Sequence, residues 1–452
     1  MKAATPQDLI EVDALRVGMF VHLDMGWMSH PFPLSSFRIA NAEQMVTIRS
    51  LGLRRVRWSP LQSDLPVEPA ETGANRPLGE PEAVLAATQE ASPDAAPEAP
   101  QGDAPAAAPE AAPTEPGSLA AVATVRVEYR RRLAEQRAAL VVCERQFAEA
   151  AHECKQLTSL ASSRPQQARE QAEALTTALL NKMLGEQDLC IRLLSDAAGD
   201  KASVHAINVT IIALLMGRSF GLEPTDMLDL GLGAMLHDIG KIELPERMRH
   251  RDDAFSATEA RLYEEHVAHG VTLGRKMGLS AGALLVVAQH HEHADGSGFP
   301  RHLNADRMTA AARIVALVNR YDNLCNPHLP GRALTPHESL SLLFAQGKNK
   351  FDIAILGGFI KMMGVYPAGS TVQLTDDRYA MVVAVNSSRP LKPRVLVHEP
   401  AVAREEALLL DLESVSGLGI RRSMRPLQLP PSALEYLSPR PRVAYFFEPM
   451  AA

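Results

Sequence analysis

The clearest periodicity in the chain is helical. Val204, Ile207, Ile211, Leu214 and Leu215 recur at three- and four-residue intervals, which lays an apolar stripe along a helix that Gly221 ends. Ser256 with Glu259, and Thr335-Pro336 with Glu338, form the reciprocal cap of a helix N-terminus, the second with proline at the first helical position. The first cap predicts His266 in the third turn of its helix, facing inward. Phe351 to Met363 predicts one more apolar helix closing the core, so residues 180–365 read as helices throughout. After Tyr366-Pro367 the period changes to two. Ser370–Leu374 and Tyr379–Val385, around a turn at Thr375–Arg378, predict a hairpin, and Arg394–His398 a third strand.

Towards the N-terminus the pattern is mixed. Over residues 8–62, Val17–His22 reads as a strand, and a helix capped by Asn41 runs through Arg49 until Gly52 stops it. From 64 to 118 the chain is almost wholly Pro, Ala, Glu, Gln, Gly and Thr, with Arg76 its only basic residue. Such a segment buries too little apolar surface to offset the entropy of ordering, so it reads as a disordered, semi-stiff linker. Residues 120–160 carry apolar residues among many Arg, Glu and Gln without a proline, and predict a long helix. That helix reads either as a solvated one or as a coiled coil pairing two subunits, although strict heptads are not evident. The fold class is therefore mainly α: an all-helical domain at 180–365, flanked by a small α+β N-terminal domain and a small β-rich C-terminal appendage at 366–452 that reads as a cover for the helices.

Charge and composition narrow the function classes. A chain of 452 residues exceeds the size at which one core keeps growing, so about three domains are expected. The net charge of −7 gives no broad basic field for nucleic acid. Cys143, Cys154, Cys190 and Cys325 form no C-x-x-C pair and no disulfide-like cluster, which fits a reducing cytoplasm. No stretch reaches the ~18 apolar residues that span a bilayer, and Met1–Asp8 lacks an apolar signal core, so a cytoplasmic protein is expected.

The chemistry lies in the helical stretch. His205, the doublet His237-Asp238, His266, the doublet His290-His291 and the loop Asp295-Gly-Ser-Gly-Phe-Pro300 recur at helix-sized intervals, as if several helices each presented a ligand to one site. Neutral imidazole with few carboxylates suits Fe, Mn, Zn or Ni rather than Ca or Mg, which prefer all-oxygen shells. Adjacent ligands such as His237-Asp238 serve two ions held close together, with the carboxylate bridging, and two such ions serve phosphoester hydrolysis. His269, His293, His302 and His328 have no such spacing and read as core or surface residues. His22 and His30 lack partners at metal spacing and read as structural.

The run Ala234-Met-Leu-His237-Asp238-Ile-Gly-Lys241-Ile242, then Gln289-His-His-Glu292 and Asp295–Pro300, resembles the HD-GYP branch of the HD phosphohydrolase superfamily. The likeness covers roughly residues 180 to 365, and Leu15–Val21 with Trp27–Phe32 resembles the small domain often found ahead of HD-GYP domains. The resemblance implies a bacterial signalling enzyme, a helical metallohydrolase that cleaves the second messenger cyclic di-GMP to pGpG, GMP or both with two divalent ions, Fe or Mn. By the same resemblance His205, His237, Asp238, His266, His290 and His291 are the metal ligands, Asp238 bridges, and Lys241 offsets phosphate charge. Gly298, Phe299, Pro300 and Arg332 are the implied substrate contacts.

The chain also departs from that family. Phe299 stands where Tyr is usual, which keeps the ring and loses a hydroxyl. The segment Asp-x-Tyr-Asp appears as Asn319-Arg-Tyr321-Asp322, so one ligand position carries an amide, a weak donor that removes a unit of negative charge. Asp322 lies three residues on, and taking over from Asn319 needs local rearrangement. Lys201 replaces the Glu of members that hold three metals, so a third ion is not expected. Arg332 sits one position out of register in its basic segment. These departures leave a second reading, a degenerate receptor that binds cyclic di-GMP or a signalling partner protein without turnover. A third, a general HD nucleotide phosphohydrolase, is set against by the His-His-Glu and Gly-Phe-Pro parts.

Overall fold

The computed structural model describes residues 9–24, 36–60, 63–64, 116–184, 189–195, 199–347, 349–386 and 389–449. His30, Trp27 and most of the expected linker, from 65 to 115, lie outside them.

The N-terminal unit is a four-stranded antiparallel sheet in the order β1-β4-β2-β3, built from β1 (Leu9–Glu11), β2 (Phe20–His22), β3 (Ser36–Arg38) and β4 (Arg55–Trp58), with helix α1 (Ala42–Ser50) between the last two. Asn41 caps α1 by accepting from the Gln44 amide, as its position predicts. Val21, Ile39, Ile48 and Val56 form its own small core.

Helix α2 (Pro116–Leu160) changes character along its length. Val125, Val127 and Val141 are exposed, whereas Cys143, Phe147, Ala150, Cys154 and Leu157 recur at three- and four-residue steps and are buried. Its C-terminal half thus enters the main core beside α3 (Pro165–Leu184). Strand β5 (Leu189–Leu193) follows, the one element within 180–365 that departs from the helical reading. A short, wholly buried apolar run has no diagnostic period, and distant strands decide its conformation.

Helices α4 (Lys201–Ser219), α5 (Pro224–Leu236), α6 (Ala257–Met277), α7 (Ala281–Gln289) and α8 (Ala310–Cys325) surround the site, with α9 (Pro336–Gln346) and α10 (Ile353–Met363) beyond them. Residues 206–217 of α4 are all buried, and α4 packs against α5 and α8. Although α4 has the length and hydropathy of a membrane span, its burial makes it the central core helix. The Ser256–Glu259 and Thr335–Glu338 capping boxes both form.

The C-terminal segment supplies β6 (Thr371–Leu374), β7 (Tyr379–Asn386), β8 (Arg394–Val397), β9 (Leu410–Asp411), β10 (Ile420–Met424), helix α11 (Pro431–Leu437) and β11 (Tyr445–Pro449). β5 sits between β7 and β11 in the antiparallel order β10-β6-β7-β5-β11, with β8 pairing β7 and β9 pairing β8. The sheet is therefore completed by a strand from ahead of the helices, and its residues share their core. Across β5 and β11, buried Arg192 holds Glu448 through contacts of 2.9 and 2.8 Å. Asn208 of α4 donates to Val443 O and accepts from Tyr445 N, both at 3.0 Å, so the polar side chain on an apolar helix pins the last strand.

Candidate metal centre

Four helix ends or helix faces deliver the candidate ligands. His205 lies in the second turn of α4, His237 caps the C-terminus of α5, Asp238 follows it, His266 is in the third turn of α6, His290 caps α7 and His291 follows. The 3-10 turn Ile239–Glu243 lies against α6 because Gly240 has no side chain: a Cβ there would stand 1.9 Å from His266 O and 2.3 Å from Gly270 N.

The structure brings all six residues together in two groups that share Asp238. One is His205, His237 and Asp238, the other Asp238, His266, His290 and His291, and within each the donor atoms lie within 4.8 Å of one another. Asp238 Oδ2 is 3.4 Å from His237 Nε2 and 3.7 Å from His205 Nε2. Its Oδ1 is 3.6 Å from both His266 Nε2 and His290 Nε2. Each carboxylate oxygen thus faces one group of imidazoles, the disposition of a bridging ligand.

Proton positions follow from the outer contacts. His237 Nδ1 donates to Ala234 O at 2.7 Å, His290 Nδ1 to Val287 O at 2.8 Å, and His266 Nδ1 to Tyr263 O. A carbonyl only accepts, so each Nδ1 bears the proton and each Nε2 of a neutral ring is a lone pair. His205 Nδ1 likewise donates to the Asp322 carboxylate at 2.6 Å. The Nε2 atoms of His205 and His237 nevertheless lie 3.2 Å apart, and those of His266 and His290 3.3 Å apart. Lone pairs facing at these distances repel unless a cation lies between them. Asp238 Oδ1 and His291 Nε2 are also buried without a hydrogen-bond partner. Burial lowers the pKa of His237, takes His266 down to about 3 and holds His291 well below its ordinary value, so these imidazoles are neutral. Donor set, protonation state and orphaned atoms all fit two transition-metal ions.

Lys241 Nζ reaches Asp238 Oδ2 at 2.6 Å and lies 5.4 Å from the Tyr263 ring centroid. Burial alone would lower the lysine pKa, but Asp238 outweighs it and keeps the ammonium charged. In turn, burial would raise the Asp238 carboxyl, yet the Lys241 ammonium holds it well below the usual carboxylate range. The side chains of His237, His266 and His290 are fully buried, while those of His205, Asp238 and Lys241 keep 16–19% exposure, so the site opens on the latter side.

The glycine-rich loop is fixed by contacts the sequence reading did not assign. Buried Glu292 accepts from the Arg301 and Leu303 amides at 2.6 and 2.9 Å. A Cβ on Gly298 would meet His291 O and His293 N at 2.4 Å, so only glycine brings the loop this close. Phe299 then stacks on His291, centroids 4.4 Å apart. Asn319 is buried on α8, its Oδ1 accepting from Asn323 Nδ2 at 2.6 Å. Asp322 is held by His205 and, at Oδ1, by Asn208 and Asn326 Nδ2 at 2.9 Å each, so it orients a ligand and is not free to replace Asn319. The signal for that role was the buried polar Asn208 three residues after His205. Arg332 is paired with exposed Asp253 at 2.7 Å, and His328 stacks on His250 at 4.0 Å. Partial burial, His328, Lys241 and Lys201 push His250 down to about 4, which places this stack at a basic rim.

Two family models match overlapping parts of the chain. A model of the HD domain matches residues 155–355, and a model of a domain of unknown function, DUF3391, matches residues 8–172. Cyclic di-GMP phosphodiesterase PA4108 of Pseudomonas aeruginosa is 25% identical over 396 residues, 86% of this chain and 84% of that protein. Cyclic di-GMP phosphodiesterase PdeB of Borreliella burgdorferi is 22% identical over 192 residues, 42% of this chain and 51% of its own. The 3'3'-cGAMP-specific phosphodiesterase 2 of Vibrio cholerae is 28% identical over 131 residues, 28% of this chain and 25% of its own. The HD match contains every one of the six converging donors, so the chain carries an HD domain over residues 155–355 and a DUF3391 domain over residues 8–172, and its likeness to the named phosphodiesterases is that of the HD-GYP branch.

Proposed function

We propose that this protein is a metal-dependent phosphodiesterase that opens cyclic di-GMP to pGpG, GMP or both. The observation that carries the reading is the pair of imidazole groups facing opposite oxygens of Asp238. His205, His237, Asp238, His266, His290 and His291 would hold two divalent ions, Fe or Mn, and Asn319 would add at most a neutral oxygen. When bound, such ions supply a nucleophilic water at neutral pH and brace the phosphoryl oxygens. Lys241 places a fixed positive charge beside Asp238, where charge grows on the phosphoryl group. Gly298, Phe299 and Pro300 wall the pocket, and Arg332, released from Asp253, contacts the outer phosphate.

The relatives' names support a phosphodiesterase over a receptor that binds without turnover, and they include a cyclic GMP-AMP enzyme as well as cyclic di-GMP enzymes. Four free, buried cysteines suit the cytoplasm, where this messenger acts. The exposed valines of α2 suit pairing with a second copy, and sedimentation of the full chain measures it. The deciding experiment is cyclic di-GMP hydrolysis by anaerobically purified protein supplied with Fe or Mn, beside His237→Ala, with bound metal counted. Turnover abolished by the substitution is expected. Metal bound without turnover by the wild type, restored by Asn319→Asp, would instead establish the receptor.

A further inference from the structure

A second cavity lies where the C-terminal sheet meets helix α9, and it shares no residue with the metal centre. Its volume is about 450 Å³, within the range of small-molecule sites. Three guanidinium groups, from Arg421, Arg422 and Arg425, line it with a single carboxylate, Glu338. Asp377 pairs with Arg421 and Glu338 with Arg425, so the excess positive charge of this wall rests on Arg422.

The guanidiniums are held with donors to spare. Arg422 gives Nε to Gln373 Oε1 at 2.9 Å, and Arg425 gives Nε to Glu338 Oε1. These contacts engage Nε of each guanidinium, whose paired Nη groups are the fork that grips a phosphate. Arg421 is anchored by Asp377 and by Thr375 O. Glu338 keeps its charge, because the Thr335 amide and hydroxyl and the Arg425 guanidinium hold its carboxyl below the usual range, and its charge is balanced by Arg425.

The same cavity is lined by an aromatic pair. Tyr366 and His337 stack with centroids 5.2 Å apart and planes 22° from parallel. His337 Nδ1 donates to Val365 O at 2.9 Å, which leaves Nε2 as an acceptor suited to the ring N–H or amine of a base. A flat ring beside a guanidinium fork is the combination that recognises a nucleotide: stacking for the base, bidentate hydrogen bonds for the phosphate.

We propose that this cavity is a nucleotide-binding site, taking a phosphomonoester nucleotide with its phosphate on Arg422 and Arg425 and its base against Tyr366 and His337. The site is independent of the proposed phosphodiesterase reaction. The test is calorimetric titration of the full chain with GMP, inorganic phosphate and guanosine, using wild type, His290→Ala to disable the metal centre, Arg422→Gln/Arg425→Gln, and Tyr366→Ala. Wild type and His290→Ala are expected to bind GMP alike, more tightly than phosphate. The double arginine variant should lose about tenfold or more per guanidinium removed, and Tyr366→Ala should bring GMP down to the level of phosphate. Should the double variant not fold, by its thermal melt, Arg422→Lys/Arg425→Lys keeps the charge but not the fork and is expected to weaken GMP as well. Equal GMP binding in wild type and both arginine variants, loss of binding in His290→Ala alone, or no saturable binding to wild type overturns the proposal. A wild type that binds phosphate as well as GMP makes the cavity a bare anion site and overturns the nucleotide assignment.

Discussion

Replacing Asp322 by Asn should loosen one metal ion without touching a metal ligand. In the native protein Asp322 Oδ2 takes the His205 Nδ1 proton at 2.6 Å, while Oδ1 takes Nδ2 protons from Asn208 and Asn326, each at 2.9 Å. An amide of the same shape has one oxygen and one NH2. With its oxygen towards His205, its Nδ2 meets two other amide donors, and a buried clash of donors costs about 1–3 kcal/mol. Turned the other way, it satisfies the asparagines but presents N–H to His205 Nδ1, which forces the proton onto Nε2 and removes the ligand lone pair. Either outcome weakens metal binding, by about 10–100-fold for a residue that orients a ligand, or roughly 1.4–2.7 kcal/mol. Competition of the apo-protein against a chelator of known affinity, with metal counted by mass spectrometry, measures this directly. One ion should be lost at a chelator level the wild type withstands, and excess metal should partly restore hydrolysis. Two ions retained with wild-type affinity would refute the reasoning that Asp322 sets the His205 tautomer.

Three other outcomes follow from buried groups. Lys182 is fully buried and desolvation lowers its pKa to about 7, with Glu149 acting the other way. Between about pH 7 and 10.5 the unfolded chain then holds a proton that the folded chain lacks, so stability should rise with pH across that window by up to a few kcal/mol; urea unfolding at both ends should show a shallower slope for Lys182→Met. Gly298→Ala forces a methyl to 2.4 Å from backbone atoms, which should cost about 1–3 kcal/mol by overpacking and move Phe299 off His291, read as a lower melting temperature together with a raised KM. Arg192→Met leaves buried Glu448 with Arg394 at 3.5 Å as its remaining ion pair and should cost up to about 3–5 kcal/mol, whereas Arg192→Met/Glu448→Leu should recover part of it in denaturant titration.

The converging donors were legible because donor chemistry is a property of residue type. A histidine after each helix-length interval is a local signal, and His237-Asp238 announces a shared site without reference to neighbours. The capping boxes at Ser256 and Thr335 were equally local, and both formed where their spacing placed them. Strand β5 was not legible, since the five residues Leu-Cys-Ile-Arg-Leu are too few to show a period and its partners β7 and β11 lie far along the chain. The role of Asp322 was hidden for the same reason: its three partners come from α4 and from the residue after α8.

The sequence by itself determined the helices, the donors and the departures from the family, because periodicity, capping and metal affinity depend on nearby residues and on atoms each side chain carries. Only the tertiary structure decided which nitrogen of each histidine faces inward, which oxygen of Asp238 serves which group, and that the last strand reaches back to the helices holding His205 and Asp322. The His205–His237, Asn208–Asp322 and Asp238–His290 contacts join residues more than thirty apart in the chain and are set by packing α4, α5, α7 and α8 against one core. Packing at that density leaves one arrangement, which no local pattern specifies.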